Sequence, residues 1–389
     1  MAYISSNANR WYAGTESAYG QVPAIAPGNR IPAVKLTAQQ KREKSQRKDK
    51  TGSRTWQGVP VGMRLQTSFD MTTYMRDWPD PTTLPSHGPL FEAAMGAPGV
   101  LWAGNSAGAG STASTVVFAT PHGLTAGQAI TSAGEIRFVG AVLDAQTVAL
   151  NAPFSAAPAS GAAIGQTATY SLAEQLPSVS LFDYWDPVTA VQRVLCGAAV
   201  DGLTVKLNGD FHQFDFKGSA QDLIDSASFV ANQGGLATFP AEPALDGFSY
   251  SPVPGNLGEV WLGVFPNQFF SVSAASIQIQ NNLDTRAKEF GTVLPLEVVP
   301  GPRTVSVTLE LFSQDDQATT ALYQAARQQS PVGMMFQLGQ VPGQLMGIYL
   351  KSLVPSVPEF DDSDKRLQWK FTDVQAQGTS EDELVVAFG

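Results

Sequence analysis

The chain has 389 residues, a net charge of −10, 36 glycines, 26 prolines and one cysteine. Its length allows two or three domains, each with a core of its own. Abundant Gly and Pro with few runs at helical spacing predict a mainly β fold with short helices, of the sandwich or barrel type. The lone Cys196 excludes an internal disulfide and a Cys-rich zinc site, and no stretch approaches the ~18–20 consecutive apolar residues of a membrane span.

The opening MAYISSNANRWY lacks the basic start and apolar run of a secretory signal, so a soluble chain made in the cytoplasm is expected. Residues 1–31 carry GTESAYG and PAIAPGN, text that predicts an extended arm. The first strand is expected over Ile31–Gln39, with Val34, Leu36 and Ala38 on a core face and Lys35, Thr37 and Gln39 on a wet one. After a charged loop, VGMRLQTSF repeats the alternation, with Val61, Met63 and Leu65 inward and Arg64 and Gln66 outward. A short helix begins at Pro89, favoured in a first turn, and ends at Gly96.

Residues 99–169 shift to Ala, Gly, Ser and Thr and read as an inserted small β domain, which interrupts a first module of residues 1–98 and 170–233. The Asn208-Gly209 hairpin signal then leads into HQFDFKGSAQ. A Pro/Gly-rich connector opens a second module, residues 234–389. There Ile277 and Ile279 alternate with Ser276, Gln278 and Gln280, while Val305, Val307, Leu309 and Leu311 alternate with Ser306, Thr308 and Glu310. A helix is expected over Asp315–Gln329, capped by Ser313 and buried through Ala318, Leu322 and Ala325.

The two modules say the same thing in the same order. Strand, charged loop, strand and helix lead to a closing strand, HQFDFKGSAQ in the first and LQWKFTDVQA in the second, with Gln213, Phe214 and Phe216 answering Gln368, Trp369 and Phe371. The four alternating strands put one face on a core and leave the other with polar side chains and no aromatic ring.

Motifs for chemistry are weak. GNSAG matches a nucleophile elbow at Ser106, with Asp201 or Asp210 and then His212 as partners, but a strand rather than a helix follows. The Gly108–Ala113 stretch fails as a dinucleotide fingerprint for the same reason. His87, His122 and His212 lack metal-ligand spacing, and the acidic clusters Asp361, Asp362, Asp364 and Glu381, Asp382, Glu383 lack that of a calcium loop, reading instead as solvated surface. No catalytic residue, cofactor or metal is therefore expected.

Charge is concentrated. Residues 35–54 hold eight basic side chains against Glu43 and Asp49, a net +6 that leaves −16 elsewhere. This loop reads as a disordered segment, a nucleic-acid arm or a docking loop for a like subunit; with Trp56 as the single nearby ring, stacking on nucleic-acid bases is disfavoured and docking preferred.

GTESAYG, the repeated strand–loop–strand–helix unit, LFEAAMGAPG and LQWKFTDVQAQG together resemble the tail tube proteins of tailed bacteriophages, in the form that carries two tube modules per chain. The resemblance implies a structural virion protein, not an enzyme, assembled in the host cytoplasm into stacked rings through which DNA passes without specific binding. Lys35, Thr37, Gln39, Arg64, Gln66, Gln278, Gln280, Ser306, Thr308 and Glu310 would then face the lumen. Two loops, Gln40–Gln57 and Asn281–Pro300, resemble the family's inter-ring docking loop, through Lys41, Arg42, Lys44, Arg47, Lys48, Lys50, Arg54, Arg286, Lys288 and Glu289. The insertion resembles decoration domains on the outer tube surface. Expected partners are the chain itself, as trimeric pseudo-sixfold rings or alternatively hexamers, with a tape measure protein, a tail terminator and baseplate proteins, and no membrane. The alternative is a single-layer adaptor, terminator or baseplate ring.

Overall fold

Period-two alternation becomes antiparallel strand: among the described residues 44% are strand and 7% helix. The computed structural model describes residues 3–44, 48–55, 58, 62–245, 250–264, 269–363 and 365–389. The main elements of the first half are β1 (Asn9–Thr15), β2 (Ala33–Arg42), β3 (Leu65–Tyr74), α1 (Gly88–Met95), β4 (Val100–Trp102), β5 (Thr115–Val117), β6 (Ala129–Ser132), β7 (Glu135–Val142), β8 (Thr147–Leu150), β9 (Thr167–Ser171), β10 (Val179–Trp185), β11 (Arg193–Leu207), β12 (Gln213–Ala220) and β13 (Asp222–Asp225). The second half has β14 (Gly258–Leu262), β15 (Val272–Gln280), β16 (Thr304–Phe312), α2 (Gln317–Gln328), β17 (Val332–Leu338), β18 (Met346–Leu353), β19 (Glu359–Asp361), β20 (Gln368–Gln375) and β21 (Leu384–Phe388).

One long sheet runs through both halves in the order β2-β3-β12-β11-β15-β16-β20-β19. The 15-residue β11 serves two sheets, its first half pairing with β10 and β13 and its second with β12 and β15. Behind the second half lies another sheet, containing β14-β17-β18-β21-β9-β4. Apolar side chains from both halves merge into one core rather than two, with Met71, Leu203, Phe214, Ile277, Val307, Phe336, Leu350 and Phe388 in the same buried cluster. Helix α1 is sunk into it, and Phe91 sets its ring edge-on to Phe214, Phe216 and Phe388 at 5.2–5.7 Å.

Local signals explain most ends. Gly96 stops α1 at φ 104°, where a side chain would be strained and a Cβ would meet the Gln175 carbonyl oxygen at 2.6 Å. Asp316, not Ser313, caps α2 by accepting a 2.6 Å hydrogen bond from the Thr319 amide, and Ala326 rather than Ala325 completes its buried line. The opening segment is not merely an extended arm, because β1 within it pairs along its full length with β10. GTESAYG has a defined task there: buried Glu16 accepts hydrogen bonds from Ser178 and Ser180 hydroxyls, both at 2.6 Å, and from the amides of Gly20 and Gly197.

Three strand expectations shift. Val34 is 47% exposed instead of inward, because it is the extra residue of a bulge between Ala33 and Lys35. The strand expected from VGMRLQTSF begins at Leu65 and continues to Tyr74 with the expected parity, Thr67, Phe69, Met71 and Thr73 being buried; Val61 lies outside the described residues. The first strand extends to Arg42, so Lys41 and Arg42 belong to a hairpin ladder and not to the loop.

The insertion has its own small core, including Val116, Phe118, Ile130, Val139 and Ile164 around the sheet β5-β8-β7-β6. It leaves and re-enters the body through β4 and β9, which pair with one another, and β9 pairs with β21. Its inner side docks on the second half through Phe138 stacked on Tyr349 and through Arg137. The fully buried Arg137 guanidinium donates to Gln337 Oε1 at 2.8 Å and to Glu259 at 2.7 Å.

His87 is fully buried beside α1, and burial lowers its pKa to about 3, against about 6.5 when unfolded. A depressed value means that the unfolded chain takes up a proton first, so native stability falls as pH drops from about 6.5 towards 3. Denaturant titrations of the parent and of His87→Gln should therefore diverge over that window and run parallel above it. Parallel curves throughout would show that His87 does not carry this pH dependence.

Candidate functional site

The long sheet is the same unit built twice. In β3 and β12, Tyr74 stands opposite Gln213, Thr73 opposite Phe214 and Met71 opposite Phe216; in β16 and β20, Phe312 stands opposite Gln368, Leu311 opposite Trp369 and Leu309 opposite Phe371. The bulge recurs as well. Between β2 and β3 the register slips from Ala33–Thr73 to Lys35–Thr72, and between β15 and β16 it slips from Val272–Leu311 to Ala274–Glu310. The supporting strands repeat too: β10–β11 slips after Val179–Ala198 to Leu181–Leu195, and β17–β18 after Val332–Leu353 to Met334–Leu350.

On the open face of this sheet the registered side chains are polar. Gln278 stands opposite Ser306 on one side and Thr204 on the other, and Ser276 stands opposite Thr308 and Lys206. In the first half Thr37 faces Asp70, Gln39 faces Ser68 and Lys41 faces Gln66, while Asp70 also faces Lys217. Lys35, Thr37, Gln39, Gln66 and Gln278 are exposed, and Gln280, Ser306, Thr308 and Glu310 half-buried. Nine of the ten lumen candidates thus share this one face. Arg64 is the exception, because it precedes β3 and its guanidinium donates to the carbonyls of Lys288 and Glu289, at 2.9 and 3.1 Å, fastening the second long loop.

Sequence reasoning missed the charge ladder on this face. Lys206 pairs with Asp215 at 2.6 Å, and Asp215 accepts from the Thr72 hydroxyl at 2.7 Å. At the equivalent positions the signs are exchanged: Asp361 pairs with Lys370 at 2.7 Å, and Lys370 lies 3.9 Å from Glu310. Burial works against ionisation of Asp215, yet hydrogen bonds from Lys206, Thr72 and Gln213 hold its pKa below the usual carboxylate range. Lys370 and Ser363 hold Asp361 well below that range. The period-two signal for these residues was present in HQFDFKGSAQ and LQWKFTDVQA, where Asp215 and Lys370 alternate with rings. Lys35, Lys206, Lys217 and Lys370 stand with Asp70, Asp215, Glu310 and Asp361, so the face is mixed in sign. The face is not free of rings as expected: among the described residues Tyr74 and Phe312 stand on it, at equivalent strand ends, Tyr74 against Phe211 and Phe312 beneath Arg366.

The loop residues divide. Lys44, Lys48, Lys50 and Arg54 are exposed, and Arg47 and Trp56 lie outside the described residues. Arg286 finds its partners within its own loop, Glu289 and Glu297, so its charge is already matched. Most residues of the acidic clusters are paired: Glu381 and Glu383 hold Arg303, Asp382 holds Lys351 and Asp361 holds Lys370, while Asp362 is exposed and Asp364 lies outside the described residues.

The hydrolase residues are not assembled. Ser106 sits in a two-residue strand of the insertion, opposite Ala163, and the next element is the strand β5 rather than a helix. Buried His212 bonds the Leu257 carbonyl, and Asp201 accepts from Gln280 Nε2 and the Leu283 amide, stapling the junction of the two halves. Comparison with protein-family models and with curated proteins finds no match to this chain.

The two faces make opposite predictions at adjacent residues. Ile277→Ala, on the buried face, should cost about 2–5 kcal/mol of unfolding free energy, and Gln278→Ala, on the open face, less than about 0.5 kcal/mol. Denaturant unfolding measures both, and equal losses would remove the two-faced reading.

Proposed function

We propose that this chain is a structural subunit of a bacteriophage tail tube, whose open sheet face lines the channel and whose partner is further copies of itself. The observation that carries the reading is a single sheet, built from two copies of one module, with one covered and one hydrated face. A wall of this kind suits the passage of a polyanion. Short polar side chains keep water between wall and strand, and rings confined to strand ends offer no run of stacking platforms. Charges paired across neighbouring strands present no continuous basic track that would hold phosphates.

Two modules per chain give a pseudo-sixfold ring from three chains. Closing the sheet into a barrel also removes edges that otherwise recruit strands indiscriminately. The exposed cations of the first long loop, Lys44, Lys48 and Lys50, would meet acidic groups on an adjoining ring. The insertion docks on the sheet behind the second half, away from the open face, which suits the outer surface of a tube. No step of this function requires a catalytic group or a cofactor.

Negative-stain microscopy of the purified chain should show rings or tubes with a central hole and three chains per ring. Reversing Lys44, Lys48 and Lys50 to Glu should shorten tubes, more so at low salt, where charge pairs are least screened. Six chains per ring would overturn the trimer, rings that never stack would favour a single-layer adaptor, and a chain monomeric at every concentration would overturn the tube.

A further inference from the structure

We infer that the free edge of β19 pairs antiparallel with the free edge of β2 in a second copy of this chain, in the register the molecule already uses between β11 and β15. The inference rests on the ring reading above and names the joint that would close the ring.

Its basis is an intramolecular precedent. The second half of β11 corresponds to β19, since Lys206, Val205 and Thr204 stand opposite Gln213, Phe214 and Asp215 as Asp361, Phe360 and Glu359 stand opposite Gln368, Trp369 and Lys370. Likewise β15 corresponds to β2, each flanked by the strand that follows it and each carrying the same bulge. In the chain, β11 joins β15 through Thr204–Gln278, Val205–Ile277 and Lys206–Ser276. Their counterparts β19 and β2 end the sheet, and among the described residues neither is bonded to a further strand on its outer side. Transferring the register gives Glu359 opposite Gln39, Phe360 opposite Ala38 and Asp361 opposite Thr37 of the second copy.

Two independent features fit this pairing. Phe360 is 57% exposed although it lies on the core-side row, stacked on Trp369, whereas its counterpart Val205 is 2% exposed beneath its neighbouring strand. A strand laid along β19 would cover Phe360 in the same way. The edges are also opposite in charge. Glu359, Asp361 and Asp362 mark β19 and its end, and Lys35 and Lys41 flank Thr37 and Gln39 along the same face of β2. In the transferred register Lys35 and Lys41 become diagonal neighbours of Asp361 and Glu359, a spacing at which opposite charges stabilise a sheet. Such a joint is head-to-tail, the kind that closes into rings when its rotation permits.

Thr37→Cys with Asp361→Cys tests the register, because directly opposed positions lie within reach of a disulfide and positions two residues out of register do not. Mild oxidation should convert the assembled double variant into a covalent ladder ending at the ring's chain number. Gln39→Cys with Asp361→Cys should not form it, and neither should either single variant. In parallel, Phe360→Lys should keep the parent's circular dichroism yet lose its rings in micrographs. Rings without the ladder, equal cross-linking by the shifted pair, or rings persisting in Phe360→Lys would overturn this joint and leave the tube reading standing. A parent chain that forms neither rings nor higher oligomers would overturn both.

Discussion

The backbone ladder between β11 and β15 is the interaction on which the rest depends. It turns two halves, each with its own hairpin and closing strand, into one sheet with a common inside and outside. Because side chains alternate with a period of two, a slip of one residue at this junction would turn one half's apolar row to water. The junction is correspondingly well fastened. Buried Asn281 donates to the carbonyls of Ala94 and Val200, and Asp201 holds Gln280 and Leu283 from the other strand.

A sheet with one wet face needs a generous cover on the other. Helix α1 supplies it at the first half, with Phe91 meeting rings from β12 and β21, and α2 braces the second half through Ala318, Leu322 and Ala326. The sheet behind adds Phe336, Ile348 and Leu350, so that the two halves share a single core although each repeats the same plan. The exchange of sign between Lys206–Asp215 and Asp361–Lys370 shows that the plan accepts the pair in either polarity. A cross-strand pair keeps its energy when both charges change together, and the face keeps its hydration.

The alternation of Ile277, Ile279, Val305 and Val307 with polar residues was legible in the sequence because an exposed sheet face writes its period directly into the chain. The helix stop at Gly96 was legible for a similarly local reason. What local pattern could not carry was pairing over distance. The strand inside the opening segment was hidden because Asn9–Thr15 alternates weakly and is held by β10, far along the chain. Val34 follows the period-two rule in sequence and breaks it in space, since a bulge is a property of two strands and not of one. Arg64 and Arg286 looked like available charges, and both are claimed by the second long loop. The docking of the insertion rests on Arg137, whose partners Gln337 and Glu259 lie more than a hundred residues away.

The central claim is that the row containing Gln278 and Thr308 faces an enclosed, water-filled channel once subunits assemble. Cysteine placed singly at these positions, in a chain whose own Cys196 is buried, reports this through the size of the reagent that reaches it. A small maleimide should label both positions in the assembled protein, and a maleimide bearing a bulky polymer should label them only in the dissociated subunit. Equal labelling of the assembly by both reagents would place that row on an outer surface and contradict the account.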